Sequence, residues 1–215
     1  MDPVASAADQ SVVLVVDVQN DYCHPEGTLG RRGVDCATAL AAVQRISTLL
    51  PTAREAGVPV LHVHTHHSRW TDTPGWRRRG QGGATIDPDA DPIVAAGSWG
   101  AEPYGDLVAD GDFTFIKHRY SAFAFTPLEL VLSSLARLSL VLVGLTSDVC
   151  VRATGVDAVS RGYRPVLVGD GTATVGVVSQ ATACAEFAAT VGPVVTTGQL
   201  LASWTQSERS ADGAP

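Results

Sequence analysis

The chain alternates between short, fully apolar runs and longer stretches in which apolar residues recur at helical spacing. Residues 11–16 (Ser-Val-Val-Leu-Val-Val) form a continuous β-branched run, which is typical of a parallel strand buried on both faces. Similar runs predict further strands at residues 59–63, 113–116, 139–143, 165–168 and 193–196. Apolar spacing predicts helices at residues 40–50, 126–137, 147–161 and 177–189. This order of elements favours a mostly parallel sheet with helices on both faces.

Several boundaries rest on single residues. Asp35 is a candidate cap for the helix at 40–50, and Pro51 is expected to end or kink that helix. Glycine and proline predict a loop at residues 23–33, and a longer irregular stretch at 70–101 is expected to cover a pocket. At 215 residues the chain (1–215) is expected to form a single domain, with frayed tails at 1–10 and 205–215.

Composition narrows the functional classes. A net charge of −7 argues against a nucleic-acid-binding surface, although the run Arg77–Arg79 is either a solvated loop or a contact to an anionic partner. No stretch reaches the roughly 20 apolar residues of a membrane helix. Residues 1–10 lack the features of a signal peptide, and the four cysteines show no C-x-x-C spacing. These observations predict a cytoplasmic protein with reduced thiols that binds neither membranes nor nucleic acids.

Three chemically distinctive residues follow the ends of predicted strands. Asp17 follows the first strand, Lys117 follows the third, and Cys150 lies near the start of the helix after the fourth. Because the carboxyl ends of parallel strands share one edge of a sheet, these side chains are expected to meet there. Of the 15 Lys and Arg residues only Lys117 is a lysine, which suggests a role that a guanidinium does not fill.

A thiol, an acid and an amine at one edge indicate acyl transfer through a thioester. The helix start and Lys117 are expected to lower the pKa of the Cys150 thiol, which would attack a carbonyl carbon. Asp17 would take the thiol proton, pass it to the leaving amine and then activate water. The turn at Leu145 and Thr146 would offer backbone N–H groups to the oxyanion. The competing interpretation of Cys150 is a buried, inert thiol.

The segments around these residues resemble one superfamily. Val-Val-Asp-Val-Gln-Asn-Asp around Asp17, Ile-Lys-His-Arg-Tyr-Ser-Ala-Phe around Lys117 and Gly-Leu-Thr-Ser-Asp-Val-Cys-Val around Cys150 are similar to the isochorismatase-like cysteine hydrolases. The resemblance covers residues 11–201 and is nearest to the N-carbamoylsarcosine amidase and ureidoacrylate amidohydrolase branch. It implies a six-stranded, Rossmann-like three-layer α/β/α fold and a homodimer or homotetramer.

The resemblance also implies roles for particular residues. It gives an Asp17–Lys117–Cys150 triad, a cis peptide between Leu145 and Thr146, and an oxyanion hole built from the N–H groups of Thr146 and Cys150. The candidate substrate-binding residues are Gln19, Tyr22, Trp99, Arg119, Tyr120, Phe123 and Leu145. Arg119 would either bind a substrate carboxylate or form a structural ion pair.

No cofactor is expected. Nicotinamidases of the superfamily carry a metal on an Asp-x-His motif; here Thr65 replaces the acid and His67 matches the histidine. The cluster of His62, His64, His66 and His67 could bind Zn²⁺ or Fe²⁺, but pocket lining or a polar strand end is the favoured interpretation.

The predicted function is hydrolysis of a carbon–nitrogen bond in a small amide or in a carbamoyl or ureido compound. The alternatives are a hydrolase of lactams or cyclic amides with a larger, antibiotic-like substrate, a nicotinamidase-type enzyme, and a catalytically idle binding subunit. Vinyl ether cleavage by a true isochorismatase is disfavoured, because those enzymes lack the nucleophilic cysteine.

Overall fold

The computed structural model describes residues 7–77 and 92–211, with side chains up to residue 205. Six strands form one sheet in the order β3-β2-β1-β4-β5-β6, and every neighbouring pair is parallel. The strands are β1 (Ser11–Val16), β2 (Val60–Thr65), β3 (Phe113–Lys117), β4 (Ser139–Leu145), β5 (Arg164–Ala173) and β6 (Val194–Val195). The predicted α/β architecture with six parallel strands is confirmed.

Eight α-helices accompany the sheet within the described residues. They are α1 (Asn20–Cys23), α2 (Thr28–Arg31), α3 (Ala37–Glu55), α4 (Pro74–Arg77), α5 (Leu128–Leu135), α6 (Arg152–Ser160), α7 (Gln180–Thr190) and α8 (Thr197–Ala211). Helices α3 and α8 cover one face of the sheet, and α5, α6 and α7 cover the other. Because both faces are covered, every residue of β1 and β4 is buried. Within the described residues, no helix is long and apolar enough to cross a membrane.

The structure corrects three predictions about boundaries. Helix α3 continues through Pro51, which is exposed, because buried residues on both sides of the proline hold the helix on the sheet. The predicted loop at 23–33 contains α2, and α8 replaces the frayed tail expected from residue 205. Helix α8 is held by Trp204, which is fully buried. Residues 1–6, 78–91 and 212–215, including Arg78 and Arg79, lie outside the described residues.

The strand order creates a crevice between β1 and β4. From β1 the chain proceeds outward to β2 and β3, and it then returns to the other side of β1 to form β4. The connections leaving β1 and β4 therefore diverge to opposite sides, which opens the sheet edge at the carboxyl ends of these strands. Asp17 follows β1 at this crevice, and the turn that carries Cys150 follows β4.

Candidate active site

Asp17 is the first residue after β1 and has a left-handed backbone with φ of 52°. Its side chain is buried, and its Oδ2 lies 2.8 Å from Lys117 Nζ. Its other carboxylate oxygen, Oδ1, accepts a hydrogen bond of 2.9 Å from the Thr65 hydroxyl. The acid is therefore held on both of its oxygens, by residues of β2 and β3.

Lys117 is the last residue of β3, and its side chain is 0% exposed. Its Nζ donates to Thr65 Oγ1 at 2.6 Å, to the Arg119 carbonyl at 3.1 Å and to Cys150 Sγ at 3.3 Å. Burial by itself lowers the Lys117 pKa, but the attraction of Asp17 and Cys150 outweighs it and holds the pKa above its ordinary value. Lys117 is therefore a permanent cation that joins the acid to the thiol.

Cys150 lies in a single π-helical turn, Ser147–Val151, that leads directly into α6. Burial raises the pKa of its thiol to about 12, although Lys117 pulls the pKa down. Lys117 acts in the predicted direction, but the predicted net lowering of this pKa is wrong, because burial outweighs the attraction of Lys117. A thiol of this kind is protonated at rest and needs a base beside it, and Asp17 is close enough to hydrogen-bond with it.

The turn before Cys150 depends on close contact between β1 and β4. Gly144 has φ of 106°, and a Cβ placed there would lie 2.1 Å from the Val16 carbonyl oxygen, so only glycine fits. The Leu145–Thr146 peptide is cis, as the resemblance implied. The carbonyl of Thr146 accepts hydrogen bonds from the Val149 and Val151 amides, both 3.1 Å long. This winds the chain so that Thr146 and Cys150 lie at the two ends of one tight turn, where their N–H groups are candidate oxyanion donors.

Three of the predicted substrate-binding residues lie in the protein interior. Gln19 is fully buried, and its amide makes hydrogen bonds with the Thr65 N–H, the Thr65 carbonyl and the Ala101 carbonyl. Leu145 is fully buried in the core on the α3 side. Phe123 is buried and stacks on Tyr163. The structure places these three side chains in the interior, and their part in substrate binding stays a prediction.

The other predicted substrate-binding residues are at least partly accessible. Trp99 is half-exposed and contacts the edge of the His24 ring, and Tyr22 is half-buried against the core. Tyr120 packs on Trp76 with ring centroids 4.8 Å apart. The Arg119 guanidinium lies over the Trp76 ring and donates to the carbonyls of Thr71 and His118.

Thr65 is a residue of the site that the sequence did not identify as functional. The sequence presented it as a substitution in a metal motif, whereas its hydroxyl bonds to both Asp17 and Lys117. Its place at the carboxyl end of β2 was the available signal, because that end lies between those of β1 and β3.

The histidines of the predicted cluster have separate partners. His62 Nε2 lies 3.0 Å from Asp112 Oδ2, and His67 Nδ1 lies 2.9 Å from Asp72 Oδ2. In the part of the chain that the structure describes, no group of three or more His, Cys, Asp or Glu residues converges on a point where a metal would bind. The sequence difference from the nicotinamidase motif is at Thr65, which stands where those enzymes have the acid.

The geometry defines a class of protein: a parallel α/β fold with an acid, an ammonium and a thiol in contact at its switch point. Residues 11–199 match the isochorismatase domain, and the chain belongs to that family. This membership confirms the predicted enzyme class, a hydrolase acting on carbon–nitrogen bonds other than peptide bonds.

Individual relatives agree with this assignment. Ureidoacrylate amidohydrolase RutB of Methylobacterium radiotolerans is 31% identical over 184 residues, which cover 81% of this chain and 71% of the relative. A cysteine hydrolase structure from Pseudomonas syringae pv. phaseolicola 1448A superposes with a TM-score of 0.80 at 27% identity, covering 93% of this chain and 94% of that one. N-carbamoylsarcosine amidase from Thermoplasma acidophilum gives a TM-score of 0.70 at 27% identity, covering 87% and 96%.

Proposed function

We propose that this protein is a cysteine-dependent amidohydrolase that cleaves the C–N bond of a small amide, carbamoyl or ureido compound through a thioester on Cys150. The observation that carries the proposal is the position of Lys117 Nζ, 2.8 Å from Asp17 and 3.3 Å from Cys150 Sγ. A buried ammonium that contacts both an acid and a thiol stabilises the carboxylate before proton transfer and the thiolate after it.

The first half of the reaction forms the acyl-enzyme. Asp17 takes the proton from the Cys150 thiol, the sulfur attacks the carbonyl carbon, and a C–S bond forms. The oxyanion accepts hydrogen bonds from the N–H groups of Thr146 and Cys150. When the tetrahedral intermediate collapses the C–N bond breaks, and Asp17 returns the proton to the leaving amine.

The second half releases the acid. Asp17 takes a proton from water, and the resulting hydroxide attacks the thioester carbon. The C–S bond then breaks and the sulfur recovers the proton from Asp17. Over the whole cycle, one amide and one water give one carboxylic or carbamic acid and one amine, and the enzyme returns to its starting state.

The substrate class is proposed from two relatives and one side chain. The names of the relatives, ureidoacrylate amidohydrolase and N-carbamoylsarcosine amidase, describe compounds that have a carbamoyl nitrogen and a carboxylate. Arg119 is the candidate partner for such a carboxylate, because its backbone carbonyl contacts Lys117 and its guanidinium lies at the exposed aromatic group of Trp76, Tyr120 and Phe125. Trp99, Tyr120 and Arg119 are accordingly the proposed substrate-facing residues.

The test is a substrate panel run with wild type and Cys150→Ala. The panel contains ureidoacrylate, N-carbamoyl amino acids, nicotinamide and a simple lactam. We expect turnover of a ureido or carbamoyl compound by wild type and a loss of at least about 10⁴-fold in Cys150→Ala, because no nucleophile remains. A Cys150→Ala variant that keeps the wild-type circular dichroism spectrum and the wild-type rate would overturn the mechanism.

We further propose that the enzyme works as a homodimer or homotetramer. Several large apolar side chains on the α5 and α6 side of the molecule are exposed, namely Phe125, Leu130, Val156 and Val159. Exposed apolar patches are typical of protein–protein contacts. Size-exclusion chromatography with light scattering at micromolar concentration tests this, and a purely monomeric species would contradict it.

A further inference from the structure

The hydroxyl of Thr65 stands between the two charged residues of the proposed triad. Strand β2 lies between β3 and β1, and Thr65 at its carboxyl end is paired in register with Lys117. The lysine side chain must therefore cross the end of β2 to reach Asp17, and Thr65 is the residue that it crosses.

The distances give the hydroxyl one hydrogen-bonding arrangement. Lys117 Nζ donates to Thr65 Oγ1 at 2.6 Å, and Thr65 Oγ1 donates to Asp17 Oδ1 at 2.9 Å. An ammonium has only donors and an ionised carboxylate has only acceptors, so the reverse orientation is excluded. The threonine thus forms a second link between the cation and the acid, beside their direct contact.

Gln19 fixes the position of Thr65. The Thr65 N–H donates to Gln19 Oε1 at 2.8 Å, and Gln19 Nε2 donates back to the Thr65 carbonyl at 3.0 Å. The second proton of the same amide goes to the Ala101 carbonyl at 2.7 Å. These bonds are buried and use both donors of the amide, so the backbone of Thr65 has little freedom to move.

We propose that Thr65, clamped by Gln19, is a positioning residue that holds Asp17 ionised and aligned with Lys117 for transfer of the Cys150 proton. This inference rests on the proposed function for its kinetic consequences, but thiol reactivity tests it without any substrate.

Among the described residues, three titratable groups face Asp17, and their pKa values decide which of them changes its charge with pH. They are Lys117 on β3, Cys150 in the π-helical turn and His64 on β2. Burial lowers the pKa of His64 to about 4, and Lys117 keeps its proton because its pKa is raised. His64 and Lys117 therefore keep their charge states between pH 5 and 9, so neither accounts for a change in Cys150 reactivity across this range.

The experiment measures the rate of Cys150 alkylation by iodoacetamide from pH 5 to 9, resolved by mass spectrometry of the Cys150 peptide. The variants are Thr65→Val, which removes the hydroxyl and keeps the shape, and Thr65→Ser, which restores the hydroxyl. Thr197→Val is the matched control, because the Thr197 hydroxyl also donates to an aspartate, Asp170 Oδ1, at 2.9 Å. Thr197 follows β6, four strands away from β2.

In Thr65→Val we expect the rate of Cys150 alkylation at pH 7 to fall about tenfold or more relative to wild type, because a hydrogen bond to a charged group is lost. On any amide that wild type hydrolyses, kcat at pH 7 should fall about tenfold or more, with a smaller change in KM. Thr65→Ser should keep an alkylation rate within about twofold of wild type, and Thr197→Val should keep the wild-type rate.

Two results would overturn the inference: an unchanged alkylation rate in folded Thr65→Val, or an equal fall in that rate in Thr197→Val. If Thr65→Val does not fold, Thr65→Ala carries the same prediction with a smaller side chain. If wild type hydrolyses nothing in the substrate panel, the alkylation profile still decides the role of Thr65, so failure of the proposed function and failure of this inference are distinguishable.

Discussion

At the scale of single residues, the site holds its charged groups in the protein interior, where water does not compete for their hydrogen bonds. Lys117 is fully buried and makes close contacts with Asp17, Thr65 and Cys150. A guanidinium is planar and larger than an ammonium, so it cannot occupy the same point between three partners. This explains why position 117 is a lysine, although all the others of the 15 Lys and Arg residues in the chain are arginines.

Replacing Lys117 by methionine tests that argument. We expect Lys117→Met to lower the free energy of unfolding by about 3–5 kcal/mol at pH 7, because the buried Asp17 carboxylate loses its counter-charge. Urea unfolding gives the value. The double variant Asp17→Asn with Lys117→Met should recover part of the loss, since no uncompensated charge remains. A single variant as stable as wild type would contradict the assigned ion pair.

At the scale of elements, the turn between β4 and α6 presents the nucleophile. Its geometry depends on Gly144, which allows β4 to approach β1 more closely than any side chain permits. The π-helical turn Ser147–Val151 then places Cys150 at the sheet edge beside Lys117. The thiol's position therefore follows from backbone contacts as much as from side-chain packing.

A pair of glycine substitutions separates contact from backbone strain. Gly144 and Gly162 both have positive φ, at 106° and 83°, but a Cβ at Gly162 meets nothing within 4 Å. We expect Gly162→Ala to cost about 1–2 kcal/mol from conformation alone. Gly144→Ala should cost about 3 kcal/mol or more, because overpacking against Val16 adds to that strain. If thermal or urea unfolding shows that the two variants lose the same free energy of unfolding, the close contact between β1 and β4 adds no cost at Gly144.

The elements that the sequence predicted well are those with a strong local pattern. The apolar runs of β1 and β4 identify buried parallel strands, and their ends locate Asp17 and the Cys150 turn. Strand β5 extends to Ala173, beyond the predicted end at residue 168, because Gly169, Asp170 and Gly171 interrupt the apolar run while the backbone continues through a register shift.

What the sequence could not supply depends on contacts between distant segments. Helix α8 has a polar sequence in its second half, and it is held by the burial of Trp204. The role of Thr65 depends on its position between two charges, and no local pattern encodes that position. The raised pKa of Cys150 depends on burial, which outweighs the nearby cation. In each case tertiary packing, and not propensity, decides the outcome.

At the scale of the whole molecule, buried thiols make stability sensitive to alkaline pH. Burial raises the pKa of both Cys23 and Cys150 to about 12, from an ordinary value of 9.0. Because the folded-state pKa values are raised, the stability that the neutral thiols contribute is fully present below pH 9.0 and is lost as the pH rises toward 12.

This linkage gives a prediction for Cys23→Ala. Urea unfolding between pH 9 and 10.5, under reducing conditions, should show a shallower loss of stability with pH than wild type. The difference in slope is at most about 1.4 kcal/mol per pH unit, the value for one titrating group. Below pH 8 the two slopes should coincide. Identical slopes above pH 9 would mean that the Cys23 thiol is not buried as the structure shows.

The central claim is that Cys150 becomes acylated during turnover. The most direct measurement is acid quenching of wild-type enzyme mixed with a turned-over amide or ureido substrate, followed by mass spectrometry of the Cys150 peptide. We expect a mass increase equal to the acyl or carbamoyl group on Cys150 during turnover, which disappears once substrate is exhausted. Steady turnover by an enzyme with no adduct at Cys150, together with full activity of folded Cys150→Ala, would contradict it.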